Sequence, residues 1–312
     1  MTEVAAVVLA HRDPTHLKRL VAALEDVPLF LHCDARTTDP VAGQMLHGLP
    51  RNVTVLPRRK MSMSSWSLMA AELDGLRAAL AGTRAEHVAV LSGSDYPLVS
   101  MQALVAELAP WRGRSYFWNV PLPFSSWNTP RHPDGGLWRL RRRFLTRGEA
   151  VVFWRKIPLR WPVPRRLPTD VELRACSEFK IYSRHDVERL LHVVDTRPDL
   201  VGFWRSTLVP CETFAASVLA SPALVGEDVL APCRAHPWYI RWPEKDNAHP
   251  CWLSVADLDG LAKARWAEPV EPEVAFRPSA EKELPGRKLF ARKFATDVDT
   301  EVLDRIDAEL RV

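Results

Sequence analysis

A run of small and acidic residues after a short apolar stretch is the first place where this chain can do chemistry. Residues 88–91 (VAVL) predict a buried strand, and 92–95 (SGSD) follow directly, stopped by Pro97. Small residues at the carboxyl end of a buried strand let a ligand approach the backbone closely. Asp95 can accept hydrogen bonds from ribose or sugar hydroxyls, or ligate a metal. A plain turn with Asp95 as a local cap gives the same pattern.

A second candidate is a single glutamate. Glu212 follows Pro210 at the start of a predicted helix that runs through Leu219 and is otherwise apolar on its inner face. A carboxylate partly withdrawn from water at a cleft can act as general base toward a hydroxyl nucleophile. The alternative is that Glu212 only complements the helix dipole.

Two adjacent cations form the third candidate. Arg292 and Lys293 lie between Phe290 and Phe294, whose rings would pin them. Fixed cations can stabilise a diphosphate leaving group when no metal does so. A solvated basic turn before the last helix is the ordinary explanation of such a pair.

Residues 111–170 are rich in Trp, Pro and Arg. Proline interrupts regular structure, and long irregular segments of compact domains are usually lids or binding loops. Trp138 and Arg139 show the chemistry available, because indole faces stack on sugar rings and guanidinium groups bind hydroxyls or phosphate. The tryptophans can equally pack a small core of their own, and 139–143 (RLRRR) can be a solvated helix face.

Composition excludes several classes of protein. The 312 residues carry a formal charge of +4 from scattered basic residues, which does not favour nucleic acid as a partner. Five cysteines without a C-x-x-C pair favour neither a disulfide framework nor a zinc site. No stretch approaches the roughly 18 apolar residues of a membrane span, and the N-terminus lacks a signal-peptide pattern. We therefore expect a cytoplasmic protein with no membrane partner.

The elements that must position these residues alternate over the first 110 residues. The predicted strands cover 4–10, 28–33, 53–56 and the segment from His87, and the predicted helices begin at Pro14, Ser64 or Ser65, and Met101. This order predicts an α/β fold with a mostly parallel central sheet and flanking helices. No G-x-G-x-x-G follows the first strand and no G-x-x-x-x-G-K-[ST] occurs, which disfavours a dinucleotide fold and a P-loop kinase.

The remaining elements are less regular. Strands are predicted over 178–182 and 236–242, helices over 184–194, 254–261 and 297–310, and a basic segment over 288–294. Residues 267–284, rich in Glu and Pro, predict a surface loop. Neither an internal repeat nor a clear domain boundary is present.

Eight segments, in one order from end to end, resemble a known family. They are VVLAHRDPTHLKRLVAAL, LFLHCD, SSWSLMAAELDGLRAAL, HVAVLSGSDYPL, SEFKIYSRHDVERLL, VPCETFAASVL, YIRW and LFARKFATDVD. Together they resemble the Core-2/I-branching β-1,6-N-acetylglucosaminyltransferase family, which includes the peptide O-xylosyltransferases, and the chain is similar to a bacterial-type soluble member. SGSDYPL and LFARKF are the most specific parts. Residues 111–174 and 267–287 lie outside the resemblance.

The resemblance implies a GT-A type fold and an inverting transfer from a UDP-sugar without the metal-binding D-x-D motif. No such motif ends a predicted sheet strand here, and Ser94 and Asp95 occupy its place. By similarity, Glu212 would be the base that deprotonates the acceptor hydroxyl. Lys293, with Arg292, would compensate charge on the departing UDP. No metal and no further cofactor are expected.

The resemblance also implies where the substrates lie. Asp34 would lie near the uracil, and Ser94 and Asp95 near the donor ribose or sugar. The acceptor would be bordered by four residues: Trp138, Arg139, Glu178 and Trp242. We expect a single domain over 1–312, in which 1–110 bind the nucleotide sugar and 111–312 hold the acceptor and the catalytic base.

The chain departs from the family pattern at several positions. Cys211 stands where the family usually has an acidic residue before the catalytic glutamate, 64–65 (SS) replace Trp-Gly, and 176–179 (CSEF) replace Gly-Ser-x-Trp. A second cation for the diphosphate is open among Arg241, Lys245 and His249.

These inferences imply a transferase that moves a sugar from UDP to a hydroxyl of a small glycoside or natural product and forms a β-linkage. The favoured sugar is N-acetylglucosamine. The alternatives are the same fold with UDP-xylose, UDP-glucose or another nucleotide sugar, and a non-catalytic carbohydrate-binding protein. The sequence predicts neither the acceptor nor the oligomeric state.

Overall fold

The computed structural model of the chain describes residues 3–243, 249–276 and 285–311. Fourteen strands occur in this part of the chain, many of them only two or three residues long. In chain order they are β1 Val4–Ala10, β2 Leu29–Cys33, β3 Val53–Val55, β4 His87–Ser92, β5 Asp95–Pro97, β6 Asn119–Pro121, β7 Thr146–Arg147, β8 Ala150–Val151, β9 Phe153–Trp154, β10 Ile157–Pro158, β11 Arg174–Cys176, β12 Lys180–Ser183, β13 Trp238–Ile240 and β14 Phe290–Arg292.

Twelve α-helices lie between these strands in the same ranges. They are α1 Pro14–Ala23, α2 Asp39–Leu46, α3 Trp66–Gly82, α4 Met101–Leu108, α5 Trp138–Arg141, α6 Arg184–Thr196, α7 Pro198–Arg205, α8 Phe214–Leu219, α9 Pro222–Val225, α10 Leu258–Arg265, α11 Pro272–Ala275 and α12 Glu301–Glu309. None of these helices is long and apolar enough to cross a membrane.

The central sheet has five strands in the spatial order β12-β4-β1-β2-β3. β1 to β4 are mutually parallel where they pair, and β12 joins the edge antiparallel to β4. β1 is buried over its whole length because its alternate side chains face two cores. Val4, Ala6 and Val8 pack with α1 and α12, whereas Ala5 and Val7 pack with α3, α6 and α8. The predicted α/β fold with a parallel-rich sheet and helices on both faces is confirmed.

A second, three-stranded sheet has the order β13-β14-β5 and lies beyond the carboxyl end of β4. β14 runs antiparallel to β5, with Arg292 opposite Asp95, and parallel to β13, with Arg292 opposite Ile240. The predicted basic segment 288–294 therefore contains a strand that pairs next to the SGSD loop.

Several local predictions differ from the structure. α2 and α7 were not predicted, although each begins with a proline in its first turn, which is a favoured position. The predicted strand over 178–182 begins later, at Lys180, and the last helix begins at Glu301. Residues 277–284 of the predicted surface loop lie outside the described residues, and its earlier part contains the short helix α11.

Residues 111–170 form short strands, turns and the one-turn helix α5, as their proline content predicts. β7 pairs with β8, and β9 pairs with β10 in a hairpin. Phe144 and Val151 pack with Leu208 in a small separate core, to which Trp138 contributes. The segment is therefore attached to the chain just before Glu212.

The contact between α3 and β1 gives a test of the packing. A Cβ at Gly75 would lie 2.3 Å from Val7 Cγ1 and 2.9 Å from Val7 Cγ2. We expect Gly75→Ala to lower the free energy of unfolding by about 1–3 kcal/mol, because β1 is fixed in the sheet and cannot move away. Urea denaturation measures the change.

Gly43→Ala is the matched control. Gly43 lies inside α2, and a Cβ there would meet no atom within 4 Å. Alanine should therefore stabilise α2 by up to about 1 kcal/mol. A loss of stability in Gly43→Ala equal to that in Gly75→Ala would contradict the packing explanation.

Candidate functional site

Two adjoining cavities open where β1, β2 and β4 end. The sheet-edge cavity, of about 360 Å³, is bounded by residues that end or follow these strands, among them His11, Asp34, Ser92 and Ser94. The tryptophan cavity, of about 460 Å³, is bounded on its far side by Trp118, Trp127, Glu212, Trp238 and Trp242. The two share one wall, formed by Met63, Glu178, Phe179, His249, Arg292 and Lys293. Ligand binding at the carboxyl ends of strands is the rule for open α/β sheets.

Asp34 lies at the end of β2 in the sheet-edge cavity. Its carboxylate accepts hydrogen bonds from the Arg36 side chain at 2.7 Å and from the Arg36 backbone N–H at 2.8 Å. Burial opposes its ionisation, but these bonds and one from the Met61 N–H outweigh that effect and lower the pKa of Asp34. Asp34 therefore presents a charged, fixed acceptor to the sheet-edge cavity, and its role beside the uracil stays a prediction.

Asp95 does not border either cavity. Its carboxylate is fully buried and accepts hydrogen bonds from the Ser92 hydroxyl at 2.7 Å, the Ser92 N–H at 3.0 Å and the Trp238 indole N–H at 3.2 Å. Burial raises the pKa of Asp95, and the nearby Arg292 guanidinium opposes that change. The expected contact with the donor is thus corrected to a supporting position behind the cavity wall, whereas Ser94 does line the sheet-edge cavity.

Arg292 lies at the junction of the two cavities. Its guanidinium is stacked on Phe179, 3.9 Å from the ring centroid, and its Nη1 is 3.5 Å from an Asp95 oxygen. The side chain is only 10% exposed, yet its buried Nε and Nη1 form no hydrogen bond within the described chain. Because Arg292 lines both cavities, it brings a fixed positive charge to their junction, where an anion could bind.

Lys293 and Arg12 flank one indole ring. Lys293 Nζ lies 4.2 Å and the Arg12 guanidinium 4.8 Å from the Trp252 ring centroid. Burial, followed by the charges of Arg292 and Arg12, lowers the pKa of Lys293. Arg12 is paired with Asp297, but Lys293 has no ion pair among the residues described. An incoming anion would relieve this repulsion.

Glu212 lies in the tryptophan cavity. It ends a 3-10 turn, Pro210–Glu212, and does not lie within the helix that we predicted, since α8 begins only at Phe214. Val209 before this turn has a φ of 53°, an unfavourable conformation for a β-branched residue that is found mainly at functional sites. This local geometry aims the carboxylate into the cavity.

Arg139 holds the Glu212 carboxylate by an ion pair of 2.5 Å. The same guanidinium lies 4.4 Å from the Trp127 ring centroid, so α5 links the irregular segment to the glutamate. Trp138 does not line the cavity. It stacks on His132 and packs toward Phe144, which corrects its expected place beside an acceptor.

Trp242, by contrast, lines the cavity with more than half of its surface exposed. Trp118 and Trp127 here belong to the Trp-rich segment whose ring faces were expected to meet sugars, but neither was predicted individually, and Trp252 in the sheet-edge cavity was not predicted. No local pattern marks them, because their positions depend on distant parts of the chain. Their aromatic type was the only available signal.

Glu178 is the second carboxylate in the site. Burial, together with the Glu212 charge and against the effect of Arg292, raises the pKa of Glu178 to about 7. Beneath it, Lys180 Nζ donates to the Glu178 carbonyl at 3.1 Å and to both Glu72 oxygens at 3.2 Å, and Tyr182 also donates to Glu72. This buried network fixes the backbone between the cavities.

His236 is a further titratable group in the tryptophan cavity. Burial and the Lys288 charge lower the pKa of His236 to about 3, so the ring is neutral. Its Nδ1 accepts the Trp238 N–H at 3.0 Å, which leaves Nε2 to donate to the Ser177 hydroxyl at 2.9 Å. Both nitrogens are engaged, and His236 is therefore a poor base.

The three candidates for a second diphosphate cation differ in their surroundings. Arg241 is paired with Asp257 at 2.6 Å, whereas His249 lines both cavities. Lys245 lies outside the described residues. Within 3–243, 249–276 and 285–311, no group of three His, Cys, Asp or Glu residues is placed to hold a metal ion.

The pKa of Glu178 gives a test of the site's electrostatics. Between about pH 4.5 and 7 the folded protein keeps the Glu178 proton that the unfolded chain has lost, so this residue makes stability fall as pH rises. We expect Glu178→Gln to remove that contribution. In urea unfolding, the variant should gain stability relative to wild type at pH 8 and gain little at pH 4.5. Equal differences at both pH values would contradict the assignment.

Comparisons with known proteins give one strong match. The sequence profile of the Core-2/I-branching enzyme family matches residues 4–260. No curated protein matches the chain.

Two solved structures show only a weak likeness. A protein presented as a glucose-1-phosphate thymidylyltransferase from Bacillus anthracis, in complex with a sucrose, has 10% identity and a TM-score of 0.31, covering 61% of this chain and 75% of that one. HddC from Yersinia pseudotuberculosis has 13% identity and a TM-score of 0.27, covering 59% and 78%. Scores this low carry no argument about function.

Proposed function

The chain belongs to the Core-2/I-branching enzyme family and is a glycosyltransferase, and on that premise we propose that it is an inverting, metal-independent enzyme. It moves a sugar from UDP to a hydroxyl of a small glycoside or natural product. N-acetylglucosamine is the favoured candidate for that sugar. The donor occupies the sheet-edge cavity and the acceptor the tryptophan cavity. The shared wall then lies at the sugar that is transferred.

The position of Arg292 and Lys293 on the wall shared by the two cavities carries this proposal. The diphosphate is the one part of a UDP-sugar that needs fixed positive charge, and Arg292 with Lys293 offers it between the two cavities. Asp34 at the far end of the sheet-edge cavity suits the uracil, and Ser94 suits the ribose or the sugar. His249 is the remaining described candidate for a further diphosphate contact.

Glu212 supplies the base. In the proposed step the acceptor O–H gives its proton to the Glu212 carboxylate while its oxygen attacks the anomeric carbon. The bond from that carbon to the UDP oxygen breaks with inversion, and Arg292 and Lys293 compensate the charge that UDP carries away. Arg139 positions the carboxylate, and Trp127 and Trp242 offer ring faces to the acceptor.

Substitution of the base tests the mechanism. Glu212→Gln should lower kcat by at least about a hundredfold, because no general base remains, while UDP binding stays close to wild type. Transfer from UDP-N-acetylglucosamine is measured with a panel of glycoside acceptors, and UDP binding is measured by calorimetry.

Glu178→Gln is the matched control, since it removes the other carboxylate of the same cavity. It should retain much more activity than Glu212→Gln. If Glu178→Gln alone abolished transfer, the base would be Glu178, and joint loss of UDP binding and activity in Glu212→Gln would make Glu212 structural. A donor panel that includes UDP-glucose and UDP-xylose identifies the sugar.

A further inference from the structure

Residues 141–166, called here the basic hairpin, carry a larger net positive charge than the chain as a whole. They contain nine Arg and Lys residues and one acidic residue, Glu149, a net charge of +8. Because the whole chain has a formal charge of +4, the rest of it carries a net charge of −4. This asymmetry sets the hairpin apart as a docking surface for something anionic.

Most of these cations are free to act on a partner. Glu149 is already paired with Arg59, and Arg165 donates to carbonyls and hydroxyls of the protein. Seven others form no ion pair with any described residue: Arg141, Arg143, Arg147, Arg155, Lys156, Arg160 and Arg166. All seven are exposed.

The same segment exposes apolar side chains to an unusual degree. Of the thirteen large apolar residues that are strongly exposed in the described chain, six lie within 145–163. These six are Leu145, Phe153, Trp154, Ile157, Trp161 and Val163. Contiguous apolar exposure beside a polar rim marks an interaction surface.

The hairpin tip combines both features. Trp154 and Ile157 pair across β9 and β10, and they are 59% and 58% exposed. Arg155 and Lys156 form the turn between them with φ of 46° and 69°, and the Arg155 guanidinium lies 5.1 Å from the Trp154 ring centroid. Indole and aliphatic groups are thus presented together with two cations at one end of the segment.

The opposite face of the hairpin is fixed to the protein. Phe144 and Val151 are buried with Leu208, and the Phe144 N–H donates to the Ser206 carbonyl at 2.9 Å. The Val151 N–H donates to the Ser65 hydroxyl at 2.8 Å, just before α3. The exposed face is therefore held outward on a firm base.

We propose that the basic hairpin docks the enzyme peripherally on an anionic lipid bilayer. Cations contact the lipid headgroups, and Trp154, Ile157 and neighbouring apolar side chains enter the interface below them. The aliphatic side chains favour lipid over nucleic acid, because they gain free energy by leaving water but have nothing to bind on a polyanion. Our expectation of no membrane partner was based on the lack of a spanning segment, which does not bear on peripheral contact.

Vesicle sedimentation tests this proposal with the full chain. The protein should sediment with vesicles of phosphatidylcholine and phosphatidylglycerol and stay in solution with phosphatidylcholine alone. Added salt should release it, since exposed charges are screened. Failure to bind the anionic vesicles, or equal binding to both kinds, would overturn the proposal.

Two double variants separate charge from insertion. Arg155→Asn with Lys156→Gly suits the left-handed turn and should weaken binding about thirty-fold, because each cation contributes about 1 kcal/mol at an anionic surface. Trp154→Ser with Ile157→Ser keeps every charge and should weaken binding by roughly tenfold or more. The control is Trp266→Ser, which removes an indole that is 53% exposed elsewhere and should change nothing.

If the Trp154 and Ile157 substitutions left vesicle binding unchanged, insertion into the bilayer would be contradicted. The hairpin would then be a polyanion site, and RNA should compete with the vesicles for it. The hairpin residues lie outside both cavities, so UDP binding by each variant confirms that it is folded. Loss of vesicle binding is thereby distinguished from failure of the proposed transferase function.

Discussion

The buried pair of Asp95 and Arg292 is the constraint on which the site depends. A guanidinium withdrawn from water needs a negative partner, and Asp95 is in turn held by Ser92 and by the Trp238 indole. Ser92 ends β4 of the central sheet, and Trp238 begins β13 of the second sheet. The ion pair lies within the second sheet, and the hydrogen bonds from Ser92 to Asp95 tie it to the central sheet, so that Arg292 is fixed between the two cavities. Replacing Asp95 by a neutral residue would leave a buried cation unpaired.

The irregular segment 111–170 contacts Glu212 and also forms an exposed part of the protein surface. At one end Arg139 holds Glu212, and farther along the chain the basic hairpin carries the exposed tryptophans and cations. Arg160 of the hairpin lies over Trp138, the neighbour of Arg139. If the hairpin docks on lipid as proposed, a contact at the surface lies only a few side chains from the base. The matched family profile extends across this segment, from residue 4 to residue 260.

Much of the fold could be predicted because its signals are local. β1, α1 and α4 follow from apolar runs, a proline at the first helical turn and helical spacing, and Asp13 caps α1 as its position indicates. α2 was missed because its apolar face is weak, and Thr38 before it accepts no capping hydrogen bond.

In the site, residue types identified Glu212, Arg292 and Lys293, but not their partners. Whether Asp95 faces a ligand or Arg292 depends on the pairing of β5 with β14, which lies nearly 200 residues away in sequence. The positions of Trp127 and Trp252 likewise depend on distant parts of the chain. So does the position of Trp138, which packs against a small core. The predicted single domain and cytoplasmic location stay predictions.

The most direct measurement is thermal stabilisation by UDP in the presence and absence of EDTA, with Lys293→Gln beside the wild-type protein. UDP at about 100 times its dissociation constant should stabilise the wild type by about 2.7 kcal/mol. If Arg292 and Lys293 hold the diphosphate, the shift survives EDTA in wild type and is much smaller in Lys293→Gln at the same UDP concentration. A shift that EDTA abolishes, or that Lys293→Gln retains in full, would show that something other than these cations binds the diphosphate.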